Sequence, residues 1–383
     1  MSTKPAERWM AIDVLRGLVM VLMAIDHVRD FFSNVHFDPT DLARTTPALF
    51  VTRVITHYCA PVFCFLAGTG AYLSSKRGKS KRELSSFLVT RGLWLVVLEL
   101  TLVRFGWTFD PAYHFTPLQV IWALGWSMVV LALLVHLPVP LIGLTGIVII
   151  AGHNALDGFH AGGAWWWRVL HESFSRFEVA PGHVVQVIYP LVPWIGVMAV
   201  GYAAGALLET TPEARRTRLF ALGAGLTLAF VQLRAAGTYG DARAWSVEPR
   251  PLFTVFSFVS TTKYPPSLLY LLMTLGPALF LLGAFERARG PIAERLAIFG
   301  RVPMFFYLLH LPLIHGLSKI AAVARYGTRA LSFGPDNVPA DLGYDLPVVY
   351  AVWAAVVLML YPACRWFADL KRRRRDLSWL GYF

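Results

Sequence analysis

The sequence predicts an all-α fold: a polytopic integral membrane helix bundle of about ten transmembrane helices with both termini cytoplasmic. Three observations lead there. Only 15% of the 383 residues are charged and 56% are hydrophobic, with a mean hydropathy of +0.54, whereas a soluble protein has roughly 25% charged residues. Apolar runs close to the ~20 residues that span a bilayer recur along the whole chain. Between them lie short basic clusters such as Lys76-Arg77-Gly78-Lys79-Ser80-Lys81-Arg82 and Lys371-Arg372-Arg373-Arg374-Arg375. A water-soluble globule is excluded. The net charge of +12 follows from cations held on the cytoplasmic side, with no nucleic acid needed as partner.

In order, the expected spans cover residues 9–32, 50–73, 84–104, 118–136, 139–153, 184–208, 217–236, 266–285, 302–320 and 347–367. The first run is full length and has no small-residue cleavage site, so it is expected to stay as a helix rather than leave as a signal peptide. Pro138 and Pro140 leave only a tight turn between the fourth and fifth runs, and the fifth is short. Dropping it would move later basic clusters outside. With it, the N-terminus, 74–83, 209–218, 286–301 and the tail hold the majority of the 35 Lys and Arg on one side. The outward segments 154–183 and 237–265 mix Trp165-Trp166-Trp167, His153, His160, His171, His183, Tyr239, Trp245 and Lys263. Such a Trp run is either an interfacial anchor or a wall facing sugar or lipid. The last stretch before the eighth span, Pro265-Pro266, fits a helix start with its amides facing outward. Cys59, Cys64 and Cys364 lie in or at the end of apolar runs and read as small buried hydrophobes. No repeat or low-complexity segment divides the chain, so residues 1–383 are expected to form a single transmembrane domain.

The first span concentrates the chemistry. It carries Asp13, Arg16, Asp26, His27, Arg29 and Asp30, and ionisable groups at membrane depth normally face a cavity or each other. Arg16 and His27 are eleven residues apart, which at about 100° per residue returns to nearly the same face about 16 Å higher. A guanidinium low on that stripe can hold a phosphate or carboxylate, and an imidazole high on it can exchange protons near neutral pH. Pairing of Asp13 with Arg16, and headgroup contacts for Asp26, Arg29 and Asp30, would explain the same residues without catalysis. His36, Asp38 and Asp41 follow within a short outer segment and could complete an acid–base cluster with His27, while a turn and a helix N-cap at Asp41 are the plainer account. His57, His310 and His315 lie in later spans, where a neutral, hydrogen-bonded role competes with a ligand role. No pair has the spacing of a helical zinc motif, so no metal is expected.

Several stretches resemble bacterial proteins of the heparan-alpha-glucosaminide N-acetyltransferase catalytic-domain family. They are Ile12-Asp13-Val14-Leu15-Arg16-Gly17, Phe37-Asp38-Pro39-Thr40-Asp41, Ala60-Pro61-Val62-Phe63, Tyr189 to Met198, Thr262-Lys263-Tyr264-Pro265-Pro266-Ser267 and Gly300 to His310. The spacing of Arg16 and His27 is also similar to the hallmark of acyltransferase-3 membrane enzymes. The resemblance implies acyl transfer across the bilayer: an acetyl group moves from cytosolic acetyl-CoA, the donor substrate, to an amine or hydroxyl of an envelope sugar or glycan on the outer face. It implies a bacterial cytoplasmic (inner) membrane location, with a homodimer compatible. His27, His36 and Asp38 are the candidate catalytic groups under this expectation. Asp13, Arg16, Asp26, Asp41, His57, Lys263 and His310 are the candidate substrate- or cofactor-binding groups, with Arg91 and Arg301 as further partners for CoA phosphates. A thioester attacked by such a nucleophile needs a base, His27 or His36, and an oxyanion donor, for which Lys263 is a candidate. A secondary transporter is the alternative, although inverted repeats and broken mid-membrane helices are not evident in the sequence. A non-catalytic scaffold would leave the intramembrane cations without purpose.

Overall fold

Thr46, Ser80, Thr211 and Ser267 each accept a backbone N–H from the first turn of the helix that follows, at 3.0–3.4 Å, which fixes where four of the spans begin. Glu83 reaches back to Ser80 to close a capping box. The computed structural model describes residues 9–333, 339, 341–374 and 376–382. Lys4, Arg8 and Arg375 of the expected basic segments lie outside the described residues.

The chain runs α1 (Met10–Phe32), α2 (Pro47–His57), α3 (Cys59–Ser75), α4 (Lys81–Leu98), a π turn (Glu99–Val103) and α5 (Arg104–Thr108). It continues through β1 (Phe115–Leu118), α6 (Val120–Leu134), α7 (Val139–Gly152), α8 (Trp165–His171), β2 (Ser175–Ala180), β3 (His183–Val187) and α9 (Leu191–Leu207). The last part comprises α10 (Pro212–Ala236), α11 (Pro251–Val259), α12 (Leu268–Phe285), α13 (Pro291–Arg301), α14 (Pro303–Tyr326) and α15 (Leu346–Arg373). Among the described residues, seven helical stretches are long and apolar enough to cross a membrane: α2 with α3, α4 through α5, α7 with its last 3-10 turn, α10, α12, α14 and α15. Two shorter apolar helices, α6 and α9, accompany them.

Each expected run coincides with helix, with instructive departures. The run 50–73 is broken at Tyr58, between α2 and α3. The run 84–104 passes through the π turn. The run 184–208 opens as β3, where Val184, Val185 and Val187 are β-branched, and becomes helix only after Pro190. Parallel β1–β3 and antiparallel β2–β3 pairs make a small sheet, in the order β1-β3-β2, at one end of the bundle. The eighth span starts at Leu268 with Ser267 as its cap, two residues later than the expected start at Pro266. Asp241 accepts from Ser267 Oγ at 2.6 Å, from Thr262 N at 2.8 Å and from Thr262 Oγ1 at 2.8 Å, so this corner is braced by side chains.

The helix richest in Asp, Arg and His takes an enclosed position. Helix α1 packs against α2, α3, α12, α13, α14 and α15, and 14 of its 23 residues are buried. Its approach to α13 is backbone on backbone. A Cβ added at Gly17 would lie 1.8 Å from the Leu296 carbonyl oxygen, and one added at Gly300 1.8 Å from that of Asp13. No side chain fits at either position, so both glycines are required by the crossing. The stripe from Arg16 to His27 therefore looks into protein, where charge can be paired, rather than into hydrocarbon.

Candidate active site

At the basic end of α1, Arg16 donates to the Gly300 carbonyl at 3.3 Å and lies 3.9 Å from Asp13, which is also 3.6 Å from Arg301. Asp13 is 3% exposed; it orients two cations and does not line the adjoining cavity. That cavity has a volume of about 350 Å³, within the range of small-molecule sites. Arg16, Arg77, Arg91, Arg301 and Lys371 line it, apolar side chains such as Met20 and Leu124 form its walls, and Tyr307 also lines it.

Tyr307 connects this cavity to the upper cluster. Its ring meets that of His27 edge-on at 6.2 Å and that of His310 at 5.1 Å. His27 Nδ1 and His310 Nε2 are 2.6 Å apart, with the rings stacked at 4.9 Å. His310 Nδ1 lies 2.7 Å from the Tyr307 carbonyl, which can only accept. The proton on His310 is therefore assigned to Nδ1, its Nε2 accepts, and His27 must donate from Nδ1. In the neutral pair, the lone pair of His27 is left on Nε2. Trp107 of α5 stands edge-on to the same ring at 5.0 Å.

Immediately before His27 on α1, Asp26 sits among three cations: Arg53 at 2.5 Å, Arg29 at 2.9 Å and Lys263 at 3.9 Å. Arg29 also pairs with Asp30 at 2.8 Å. Three cations against two carboxylates leave one positive charge in excess beside His27. Lys263, 8% exposed, is the least tightly held of the three and lies over the Tyr264 ring. His57 is buried in the same region, edge-on to Tyr270, whose hydroxyl donates to the His57 carbonyl at 2.6 Å.

The remaining expected residues are not drawn into this cluster. His36 and Asp38 are exposed, and among the described residues no hydrogen bond or ion pair joins either to His27. Asp38 accepts from Thr40 N and Oγ1, both at 2.9 Å, in a local turn. Asp41 accepts from Ala43 N at 3.1 Å. It is Thr46 that caps α2, because Pro47 fixes the first helical residue there. His36 lines a separate recess of about 220 Å³ with Arg29 and Asp30. His315 stacks between Phe31 and Phe109 and bonds to the Gly106 carbonyl at 3.0 Å, a packed and satisfied imidazole.

Sequence reasoning missed Arg53, Tyr307 and Glu99. Arg53 and Glu99 were detectable by the rule that flagged Asp26, since each falls inside an expected span. Glu99 is fully buried on the π turn, where its carboxylate accepts from Trp122 N at 3.0 Å and caps α6 beside the cavity. Tyr307 carries no charge signal, and only packing brings it to the head of the cavity.

The family model described as heparan-alpha-glucosaminide N-acetyltransferase, catalytic, matches residues 8–235. The matched part holds Arg16, His27 and Arg53 and ends before Lys263, Tyr307 and His310. No curated protein matches the chain. With more than half of the 383 residues covered, this chain belongs to the heparan-alpha-glucosaminide N-acetyltransferase catalytic family.

Proposed function

We propose that the protein is a membrane-embedded acyltransferase of the bacterial cytoplasmic membrane. Acetyl-CoA, or a related acyl-CoA, enters from the basic, cytoplasmic end, and an amine or hydroxyl of an envelope sugar takes the acyl group on the far side. The observation that carries this reading is a cavity lined by five cations and by Tyr307, whose ring touches both His27 and His310. Cations on that scale suit the phosphates of CoA, and apolar walls suit a pantetheine arm and thioester.

In the step itself, His27 Nε2 takes the proton of the acceptor N–H or O–H as that atom attacks the thioester carbon. The carbonyl π pair moves to oxygen, where the excess positive charge around Lys263 stabilises the oxyanion. The oxyanion then collapses, the C–S bond breaks, and the CoA thiolate leaves with the proton from His27. His310 acts through His27: by accepting from Nδ1–H it holds the tautomer that exposes Nε2, and the Tyr307 carbonyl fixes His310 in turn.

The test is transfer or hydrolysis of radiolabelled acetyl-CoA by protein purified in detergent, with His27→Ala as the comparison. Label release that requires His27, in protein of unchanged elution profile, is the expected result. Absence of any acyl turnover across amine and sugar acceptors, together with solute uptake into proteoliposomes, would replace this reading with that of a permease.

A further inference from the structure

Away from the acyl site, the segment that follows α7 gathers His153, Asp157 and His171. One ligand atom from each lies within 4.8 Å of the others. His153 and His171 are 2% and 3% exposed. Neither ring nitrogen of His153 makes a hydrogen bond of good geometry among the described residues, and the Pro266 backbone is a polar group that approaches the ring. Asp157 Oδ1 is also buried and unbonded, 3.7 Å from His171 Nε2. A buried imidazole without a good hydrogen bond, beside a carboxylate oxygen held only by His171 at 3.7 Å, is costly as it stands.

The surroundings are arranged as outer support for a bound ion. Asn154 Nδ2 donates to Asp157 Oδ2 at 2.9 Å, which turns the other oxygen toward the two imidazoles. Asn154 Oδ1 in turn accepts from Leu268 N at 2.9 Å, tying the group to the start of α12. Trp167 stacks on the His171 ring at 5.1 Å and 13° and fixes its plane. His171 Nε2 also contacts the His153 carbonyl at 3.0 Å, a bond that an incoming ion would replace.

We infer that His153, Asp157 and His171 bind one zinc-class divalent ion, which fastens the α7–α8 segment to the start of α12. Two imidazoles and one carboxylate select zinc over magnesium or calcium. Ligands on a tetrahedral zinc at about 2.0–2.2 Å stand about 3.3 Å apart. The His171–Asp157 distance is near that value, and His153 closes the rest by a side-chain rotation. The fourth position is left for water. His153 and Asp157 are four residues apart, but His171 follows only after a further loop and α8, so spacing alone does not reveal the set.

The experiment uses the full-length protein in detergent without a histidine tag. It is stripped with chelator, exposed to zinc chloride, desalted and assayed for metal. About one zinc per chain is expected in the wild type, with a fall of tenfold or more in the His153→Gln, His171→Gln double variant and in Asp157→Asn. Zinc retained equally by the variants, or by none of the proteins, overturns the inference. Should the variants fail to fold, cobalt loading of the wild type decides. An intense visible absorption of tetrahedral cobalt, displaced by zinc, supports the site, and its absence refutes it.

Discussion

His310→Ala tests the imidazole relay most directly, because it removes the acceptor of His27 Nδ1–H and leaves His27 in place. Complete loss of a positioned general base costs about 10²–10⁴-fold in rate, or roughly 3–5 kcal/mol at 1.36 kcal/mol per decade. His27→Ala should fall in that range. His310→Ala strips only the orientation and the tautomer, so a smaller loss of about 10–10²-fold in kcat is expected, with the KM for acetyl-CoA nearly unchanged because His310 does not line the donor cavity. Since the 2.6 Å contact makes the two rings one unit, the double variant should be no slower than His27→Ala alone. The assay is steady-state acetyl transfer in detergent. Multiplicative losses in the double variant, or a His310→Ala enzyme within twofold of wild type, would refute the relay.

Arg16→Gln combined with Arg91→Gln should raise the KM for acetyl-CoA about thirtyfold, each lost phosphate contact being worth about 1 kcal/mol, with little change when a donor lacking the nucleotide is compared by initial rates. Gly17→Ala should prevent normal assembly, since its Cβ would lie 1.8 Å from the Leu296 oxygen. Overpacking of this kind costs at least about 1–3 kcal/mol, visible as a lower thermal aggregation midpoint. In the loop before β1, burial alone would raise the Asp110 carboxyl, but the Ala112 and His114 amides and Arg104 bring it down to about 2. Its folded value lies below the ordinary 3.8, so its contribution to stability is present above that value and is lost as pH falls toward about 2. Asp110→Asn should therefore lower thermal stability at neutral pH and flatten its acid dependence in that window, as followed by fluorescence.

The helical spans were legible because hydrocarbon demands long apolar runs with every backbone group satisfied, and that demand is written in composition. Arg16 and His27 were legible because a charge inside such a run is expensive and stands out. The spacing also gave their shared face correctly, since α1 is an uninterrupted helix. What could not be read was the partner of His27. His310 meets His27 across 283 residues of sequence, and nothing in the stretch Gly300 to His310 encodes that contact. His36 looked closer to His27 in the chain, but the chain leaves α1 at Ser33 and carries His36 into a separate recess. Asp41 looked like a cap because the next helix begins soon after it, yet the Thr46-Pro47 pair starts that helix more effectively.

The division of the site between the two halves of the chain has a mechanical consequence. Arg16, His27 and Arg53 come from α1 and α2, whereas Lys263, Tyr307 and His310 come from the α11–α12 connection and α14. Helix α1 packs directly on α12, α13 and α14, and its crossing with α13 through Gly17 and Gly300 sets Arg16 against the Gly300 carbonyl. The donor cavity and the imidazole pair therefore share α1 as their common wall. A defect at Gly17 must lower donor binding, turnover and thermal stability together, whereas a change at His310 must lower turnover with donor binding preserved. If Gly17→Ala were to keep its stability and lose only turnover, the glycine contact would be part of the chemistry and not of the assembly. The separation of effects between these two positions is thus a direct measure of whether the bundle builds the site or merely surrounds it.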